Sequence, residues 1–438
     1  MKNLQIKSRE MGLISAFFGA AFIMILGTAS GFSQPIITGR SSGLAGSCAT
    51  GMFSVDALGW NPANLGLKAN PEFRLCLPGA GLSFGNNSMS PRFIGETFVE
   101  DARLTDKQIA DILSQLKTKT LDINTLLAIP VFGLAQGRVA FNVNAQLNSH
   151  FALPKDLFEL MFRGPVKDQV SKFDNVQSES ASWWAAAFSV GQPLPHPDWL
   201  REFSAGATIK YLGGLAMQRL DNQRGQVLLT EESIYVDGYG KTLESTRGSG
   251  WGLDFGFSGV MAKSNLKVGL TLGNLFEKIW WRDVTVREAQ FYRDSGLNPD
   301  SLGRPEYWNW EYFFGQSDTT YKISSTQTDL PTYLILSFSR PFLNERIELF
   351  GSYFQGWDEA FGQSLKPLFA IGSEFRYIPF LPLRMGAALG GREELVLAGG
   401  FGLAFPGYQI DIGASWQRGI LDDAKGFSVA VSNYIGVR

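Results

Sequence analysis

The chain has 438 residues, with 39 Lys and Arg against 41 Asp and Glu, and therefore a formal net charge of −2. This balance, with no Lys/Arg cluster, excludes the electrostatic footprint of a nucleic-acid-binding protein. Charged residues make up 18% of the chain, below the roughly 25% typical of soluble domains, whereas Gly and aromatic residues are abundant. This composition indicates a strand-rich protein in a partly apolar solvent.

The N-terminus is typical of a secretory signal. Three basic residues precede an apolar run at positions 11–26, and small residues follow as far as Ser33. A retained membrane anchor is the alternative, but the run is shorter than the roughly 20 apolar residues that span a bilayer. We therefore predict that residues 1–33 are a signal peptide and that the mature chain leaves the cytoplasm.

Residues 34–72 show no strand alternation and are rich in Gly, Ala and Ser. Within them, the stretch DALGWNPANLG contains a stiff turn, because Pro62 fixes φ and pushes Asn61 toward extended backbone. Asn64 can adopt the left-handed conformation that such a turn accommodates. From these residues alone, an ordinary loop and a segment folded back as a plug both fit.

The chain has only two cysteines, Cys48 and Cys76. An exported protein meets an oxidising compartment, where the two could form a disulfide. Two small buried thiols are the other interpretation, and the sequence favours it slightly.

From residue 73 onward, apolar residues alternate with polar residues or glycine, the pattern of a strand with two unlike faces. In WGLDFGFSG, for example, Trp251, Phe255 and Phe257 alternate with Asp254 and Ser258. The pattern predicts about fourteen strands, near 73–85, 121–133, 138–150, 181–191, 203–213, 251–261, 265–275, 332–341, 346–356, 367–378, 382–391, 394–405, 407–417 and 426–437. Most of them match the roughly 9 to 11 residues with which a tilted strand crosses hydrocarbon.

The connections between these strands alternate in length. Every second one is short, such as the Pro-Gly between residues 405 and 408, whereas several of the others are long, at 86–120, 151–180, 214–250 and 276–331. Outer-membrane barrels have short periplasmic turns and longer external loops. The sequence therefore predicts a transmembrane antiparallel β-barrel, residues 73–438, with both termini in the periplasm.

Two short helices are predicted in the external loops. In LTDKQIADILSQLK, Thr105 and Gln108 form a capping-box pattern, and the apolar residues from Ile109 to Leu116 share one face. The second helix, 153–162, is entered through Pro154. Each predicted helix has an apolar face, which must pack against another part of the protein.

A barrel of about fourteen strands has a lumen too wide for its own side chains to fill. The segment 34–72 is placed to fold back into it as an N-terminal hatch. Inward charges could hold such a hatch by ion pairs or simply line a solvated lumen; they are Lys210, Asp254, Lys267, Glu374, Arg376 and Asp411.

The run GRSSGLAGSCATGMFSVDALGWNPANLGL, residues 39–67, resembles the start of mature proteins in the long-chain fatty-acid transporter-like (FadL/PorV-type) superfamily of outer-membrane barrels. The matching positions are Arg40, Gly43, Gly46, Asp56, Ala57, Trp60, Asn61, Pro62, Ala63 and Leu65. Asn64 stands where the superfamily usually has Gly, which is tolerable if that position is left-handed. The region after this run, including LTDKQIADILSQL and FALPKDLFELMFRG, resembles an uncharacterised subgroup with a domain of unknown function. The resemblance covers the plug and the first third of the chain, and the remaining barrel only by architecture.

The resemblance implies a monomeric fourteen-stranded barrel with a hatch in its lumen, formed here by Arg40, Gly43, Gly46, Asp56, Trp60, Asn61, Pro62 and Asn64. Transporter members of the superfamily pass hydrophobic molecules from an external groove, past the hatch and out through the wall. Other relatives, in type IX secretion systems, carry no solute and escort secreted proteins. This sequence ends in Arg438 rather than in the aromatic residue common at the C-terminus of such barrels.

No enzyme, cofactor or metal site is predicted. The two histidines, His150 and His196, lie apart from any nucleophile motif, and the sequence contains no phosphate-loop or zinc-ligand spacing. Its most unusual segment is the predicted external loop 276–329, which is rich in aromatic residues. The candidate contacts for a ligand or protein partner there are Trp280, Trp281, Trp308, Trp310 and Phe313. Such aromatics could equally anchor the barrel at the membrane rim or pack on one another.

The leading hypothesis from the sequence is an outer-membrane barrel, in contact with lipid, that mediates passage of hydrophobic small molecules through a plugged lumen. The alternative is a barrel that transports nothing and binds or escorts envelope or secreted proteins through its loops. An apolar path that leads past the hatch to a gap in the wall would favour transport. A sealed wall with a fixed hatch would favour a protein partner.

Overall fold

The chain folds into an antiparallel β-barrel with its N-terminal segment inside the lumen. The structure is a computed structural model, and it describes residues 37–97, 104–116, 119–231, 233–297, 315–358, 361 and 363–437. The predicted signal peptide, 1–33, lies outside these residues.

The described residues form seventeen strands. In chain order they are β1 (Phe73–Asn86), β2 (Thr120–Gln136), β3 (Val139–Pro154), β4 (Val170–Lys172), β5 (Gln177–Pro193), β6 (Leu200–Leu229), β7 (Ile234–Ser245), β8 (Arg247–Met261), β9 (Lys267–Leu297), β10 (Gly315–Asp329), β11 (Tyr333–Phe342), β12 (Ile347–Gly356), β13 (Leu368–Phe375), β14 (Leu383–Gly390), β15 (Glu394–Phe405), β16 (Tyr408–Gln417) and β17 (Gly426–Val437). All except β4, β7 and β10 form a closed wall, because β1 pairs with both β2 and β17. The predicted fourteen-stranded barrel is confirmed.

The alternation in the sequence decides which way each side chain points. On β8, Trp251, Phe255 and Phe257 are exposed on the outer surface, whereas Asp254 and Ser258 are buried inside. The same division of exposed apolar and buried polar or small residues recurs on the other strands. An apolar outer surface around a polar interior is the arrangement of a transmembrane barrel, since lipid contacts the outer face.

The wall has two unlike rims. The short-turn rim carries the ends of β1 and β17 at Phe73 and Val437 and tight connections such as the turn at 406–407. The long-loop rim carries the longer connections, among them 87–119 and 155–176.

The described part of the chain contains four α-helices, α1 (Gly39–Gly43), α2 (Pro91–Thr97), α3 (Asp106–Gln115) and α4 (Lys155–Arg163). Among the described helices, none has the length and apolar character required to cross a membrane. The two predicted loop helices are confirmed as α3 and α4, and Thr105 and Gln108 form the predicted capping box. Their apolar stripes pack on each other and on the adjoining strand ends through Ile109, Leu113, Leu121, Leu153, Leu157 and Phe158.

The prediction of loops at 214–250 and 276–331 is wrong for most of these residues. β6 and β9 run for 30 and 31 residues, well past the wall, where they pair with β7, and β9 also pairs with β10. The apolar alternation continues in this outer sheet, but Asp283, with φ of 52°, shifts its phase, so that Trp281 and Val284 share the buried face. The shift, together with frequent charged residues, makes the segment look like a loop in the sequence.

Candidate functional site

The hatch, residues 37–72, crosses the lumen from one wall to the other. Its helix α1 packs on β15, β16 and β17, and its 3₁₀ turn Pro62–Gly66 packs on β5, β6 and β8. Two further 3₁₀ turns, Ala49–Gly51 and Ser54–Ala57, lie between them. The hatch predicted from the sequence is therefore inside the barrel.

Local sequence builds both ends of the hatch. Thr38 caps α1, accepting from the backbone N–H of Ser41 while Ser41 Oγ accepts from the N–H of Thr38. Asn61 caps the turn Pro62–Gly66, since its Oδ1 accepts from the N–H of Ala63 at 3.0 Å. Asn61 is extended, as its place before Pro62 predicts.

Asn64 does not take the left-handed conformation that the sequence allowed. It lies within the 3₁₀ turn, and its buried side chain makes hydrogen bonds instead. Its Nδ2 donates to the carbonyls of Ala49 and Met52 at 2.8 and 2.7 Å, and its Oδ1 accepts from the Ser258 hydroxyl of β8 at 2.6 Å. The departure from Gly at this position therefore supplies contacts that hold the hatch together and join it to the wall.

Asn61 makes the second contact with β8. Its Nδ2 donates to the carbonyl of Phe257 and to Ser258 Oγ, both at 3.1 Å. The wall approaches closely here because Gly206 of β6 carries no side chain: a Cβ would overlap the backbone of Pro62 and Ala63. The Asn-Pro-Ala-Asn turn thus lies directly on the backbone of β6 at Gly206 and is hydrogen-bonded to β8.

Arg40 anchors the other end of the hatch. Its Nε lies 3.0 Å from Oε2 of Glu374 on β13, and its Nη1 donates to the carbonyl of Gly51. Burial would lower the pKa of Arg40, but the surrounding acidic groups, with Glu374 first among them, together more than offset this, so that the pKa is raised. Glu374 also pairs with Arg376 and Arg384 at 2.6 and 2.7 Å. The predicted ion pairing of the hatch therefore occurs at Glu374.

The other inward charges pair within the wall. Arg384 joins Asp411 at 2.7 Å, and Glu348 joins Lys267 and Arg376 at 3.0 and 2.9 Å. A separate buried group has Lys210 between two carboxylates, at 2.8 Å from Asp254 and 2.6 Å from Glu277. These eight charged side chains of the wall pair within the wall, and among the described residues only Glu374 reaches the hatch by an ion pair.

Asp56, Gly43, Gly46 and Trp60 also have defined places. Asp56 accepts from the Tyr434 hydroxyl of β17 at 2.8 Å, and burial raises the pKa of its carboxyl. Gly43 faces Gly400 of the wall, and Gly46 is left-handed with φ of 75°. Trp60 is buried in a cluster shared by the hatch and the wall, with Leu44, Cys48, Ala49, Met52, Tyr333, Ile335 and Phe350.

The two cysteines are free and buried, so the interpretation as separate thiols holds in this structure. Cys48 lies in the hatch and Cys76 in β1. Burial raises the pKa of the Cys48 thiol to about 12. A thiol with such a pKa is unreactive at neutral pH.

The wall is irregular beside the hatch. Pairing of β1 with β2 stops after Cys76–Gly133 and resumes at Gly81–Ala128, and the registers of β1 on β17 and of β2 on β3 shift at the same level. Pro78 and Pro130 lie inside this interval and cannot donate to a ladder. The signal in the sequence from which this feature could have been predicted is a proline inside each of two predicted strands.

Two adjacent cavities lie between the hatch and the wall. The first, of about 50 Å³, is lined by Leu58 and Gly59 of the hatch and by residues of β3, β5, β6 and β9. The second, of about 20 Å³, reaches Pro130 and Phe132. Leu58, Asn142 and Asn144 line both. A third cavity, of about 60 Å³, lies beside Ser41, Ser42 and Glu393.

Apolar side chains cover the lumen toward the long-loop rim. Trp183, Trp281, Leu330 and Phe361 belong to one buried cluster there, and the indole N–H of Trp281 donates to Thr328 Oγ1 at 2.9 Å. Trp281 is therefore a packing residue of β9, and Trp280 lies on the opposite, exposed face of the same strand. The other predicted contacts, Trp308, Trp310 and Phe313, lie outside the described residues.

Comparisons with known proteins agree with this architecture. A model of a family of unknown function, DUF5723, matches residues 62–247. No curated protein matches the chain. Among solved structures, the Pseudomonas putida toluene transporter TodX is 11% identical over 93% of this chain and 99% of its own, with a TM-score of 0.53. The monoaromatic hydrocarbon channel CymD is 12% identical over 94% and 99%, with a TM-score of 0.52. A Pseudomonas aeruginosa FadL homologue is 13% identical over 93% and 100%, with a TM-score of 0.50.

At these identities the likeness concerns the fold. The chain has the barrel fold of the long-chain fatty-acid transporter-like outer-membrane proteins, which confirms the resemblance drawn from the sequence. The match of residues 62–247 to a family of unknown function agrees with the predicted subgroup.

Proposed function

We propose that this barrel passes hydrophobic small molecules across the outer membrane, through the cavities beside the hatch and out through the wall between β1 and β2. The observation that carries the proposal is the pair of cavities that share Leu58, Asn142 and Asn144 and end at the interrupted pairing near Pro130. The neighbours in fold are a toluene transporter and a monoaromatic hydrocarbon channel, which supports a small hydrophobic substrate.

The wall interruption is a suitable exit. Val131 and Phe132 are exposed on the outer, lipid-facing surface at the level where the second cavity reaches β2. A hydrophobic molecule that leaves there moves from protein into hydrocarbon and never enters water, which is favourable for apolar surface.

The hatch must move only locally. The Leu58 side chain lies between the two cavities and lines both of them. Leu58 and Gly59, whose φ is 83°, connect two 3₁₀ turns, Ser54–Ala57 and Pro62–Gly66, each of which is held in place by its own contacts. Both cavities are small, roughly the room of a few water molecules. In the proposed cycle, displacement of the Leu58 side chain joins them while the contacts of Asn61, Asn64 and Arg40 persist.

The proposal includes an orientation. The short-turn rim, with both chain ends, faces the periplasm, and the long-loop rim with the outer sheet faces the exterior, because outer-membrane barrels have their short turns on the periplasmic side. Proteolysis of intact cells tests it: sites in the outer sheet are cut, and an epitope added after Arg438 is protected.

Blocking the shared part of the cavities tests the transport proposal. Asn144→Trp places a large ring in that space, and Val190→Trp, on the exposed outer face of β5, is the matched control. Uptake of labelled toluene is measured in bacteria that lack other hydrocarbon channels, with barrel folding checked by heat-modifiable gel migration. We expect Asn144→Trp to reduce uptake to the level of cells without the protein and Val190→Trp to leave it unchanged. Wild-type uptake in folded Asn144→Trp would contradict the route.

A second candidate function is the binding of envelope or secreted proteins. It is favoured by the outer sheet, in which β6 and β9 continue past the wall, and by the many hydrogen bonds that hold the hatch. Cross-linking in native membranes followed by mass spectrometry tests it. A partner captured by wild type and lost in a Trp308→Ala, Trp310→Ala double variant, with toluene uptake absent in both, would favour this function over transport.

A further inference from the structure

A row of four side-chain amides faces the lumen along β3. Asn142, Asn144, Gln146 and Asn148 occupy alternate positions of the strand, and all four line the first cavity. The first two also line the second cavity, which ends at the irregular wall. The row therefore follows the proposed route from the long-loop side to the exit.

The strands on either side leave this row in a groove. On β5, Asn142, Asn144 and Asn148 lie opposite Ala187, Ala185 and Ala181. On β2, Asn142 lies opposite Gly133, and Gln146 lies opposite Ala128. Because these neighbours are small, they leave room beside the amides for the two cavities.

One amide of the row has unused hydrogen-bonding capacity. The Asn142 side chain is 6% exposed, and its Oδ1 has no hydrogen-bond partner among the described residues. The Asn144 Oδ1, in contrast, accepts from Gln146 Nε2 at 3.0 Å. A buried acceptor without a partner is costly, so the site favours an occupant that donates a hydrogen bond.

The charges beside the first cavity disfavour an anion. Lys210 and Glu277 line it, and Lys210 is already held between Glu277 and Asp254. The third N–H of the Lys210 ammonium donates to Asn274 Oδ1 at 2.7 Å, so none of its three donors is left for an anionic ligand. A carboxylate in the cavity would lose its hydration and meet a group with an excess of negative charge.

Apolar side chains are available for the rest of the molecule. Leu58, Trp183 and Leu330 line the same cavity, and Trp183 lies directly opposite Gln146 across the β3–β5 pair. When displacement of Leu58 joins the two cavities, an aromatic ring or short alkyl chain can pack on Trp183 and Leu330 while its polar group lies at the amide row.

From this juxtaposition we infer that the lumen site selects uncharged molecules that donate a hydrogen bond, such as alcohols and phenols with an aromatic or short alkyl body, ahead of hydrocarbons and carboxylates. The inference rests on the proposed function in taking the cavities as the substrate route. It deepens that function by naming the substrate class, and binding alone suffices to test it.

A set of matched ligands distinguishes the classes. Toluene, benzyl alcohol and benzoate share one ring and differ in one substituent. Their binding to the full-length protein in lipid nanodiscs is measured by calorimetry, with protein-free nanodiscs subtracted for partition into lipid. We expect benzyl alcohol to bind about tenfold more tightly than toluene, the effect of one buried hydrogen bond, and benzoate to bind most weakly. Equal or tighter binding of toluene or benzoate, or no saturable binding of the alcohol, would overturn the inference.

A pair of variants tests whether Asn142 causes the preference for benzyl alcohol over toluene. Asn142→Leu removes the unpartnered acceptor and retains volume, and Asn222→Leu makes the same change at an exposed position of the outer sheet. We expect Asn142→Leu to abolish the preference for benzyl alcohol over toluene and Asn222→Leu to retain it. If folded Asn142→Leu keeps the preference, the amide row is not the selector.

Binding and uptake can also fail separately. An alcohol that binds with this preference but is not taken up by cells would support the inference and contradict the transport proposal. Uptake of toluene that is blocked by Asn144→Trp, with no preference among the three ligands, would support transport and overturn the inference.

Discussion

The replacement Asn64→Ala tests how the hatch is held. The Asn64 amide is fully buried and makes three hydrogen bonds of 2.6 to 2.8 Å, to Ala49, Met52 and Ser258. At about 1 kcal/mol for each net hydrogen bond, their loss lowers the free energy of hatch opening by about 3 kcal/mol. The barrel wall, which these bonds touch only at Ser258, keeps its own stability.

Hydrogen exchange detected by mass spectrometry measures this opening directly. A change of about 3 kcal/mol accelerates exchange through local opening by roughly a hundredfold or more. We expect this acceleration in hatch peptides covering residues 49–67 and no change in peptides of β12 to β16. Asn222→Ala, at an exposed position, is the control. Hatch exchange within threefold of wild type would refute the assignment of these hydrogen bonds as the hatch anchor.

Two further predictions concern the same segment. Arg40→Met removes the ion pair with Glu374 but leaves that carboxylate its partners Arg376 and Arg384. We therefore expect the free energy of hatch opening to fall by about 2 kcal/mol and hydrogen exchange to accelerate in peptides covering residues 37–47. Unchanged exchange in these peptides would contradict an anchoring role for Arg40. The raised pKa of Asp56 predicts that the folded hatch favours its protonated form, so that its contribution to stability is complete below the pKa of the unfolded chain and is lost as pH rises through the folded value. After correction for intrinsic exchange rates, hatch exchange should therefore accelerate with rising pH in wild type and lose this dependence in Asp56→Asn; the same pH dependence in both proteins would exclude Asp56 as its source.

The barrel was predictable from the sequence because its physical cause is local. A strand between lipid and a polar lumen alternates at every residue, so residues such as Trp251 and Asp254 report their environment directly. The alternating lengths of the connections then predicted which strand ends lie at the short-turn rim and which lie at the long-loop rim. The outer sheet was not predicted because the left-handed Asp283 shifts the alternation of apolar and polar residues by one position along β9.

The contacts of the hatch could be predicted only in part. Resemblance identified the segment and residues such as Arg40 and Asn61, but their partners Glu374 and Ser258 lie about 200 to 330 residues away in the chain, and no local pattern connects them. Asn64 is not left-handed, as the sequence allowed, and no local pattern predicts the partners of its amide, Ala49, Met52 and Ser258. Pro78 and Pro130 were visible in the sequence, yet only the pairing of β1 with β2 shows that they interrupt the wall at one level.

The most direct test of passage through the lumen is a crystal structure of the full-length protein with a brominated monoaromatic compound, in which anomalous scattering locates the bromine. The proposed route predicts bromine between Leu58 and Asn144, displaced toward Phe132, with the Leu58 side chain moved and the Asn61 and Asn64 contacts intact. Bromine found only on the outer lipid-facing surface or in the outer sheet, with the two cavities unchanged, would contradict it.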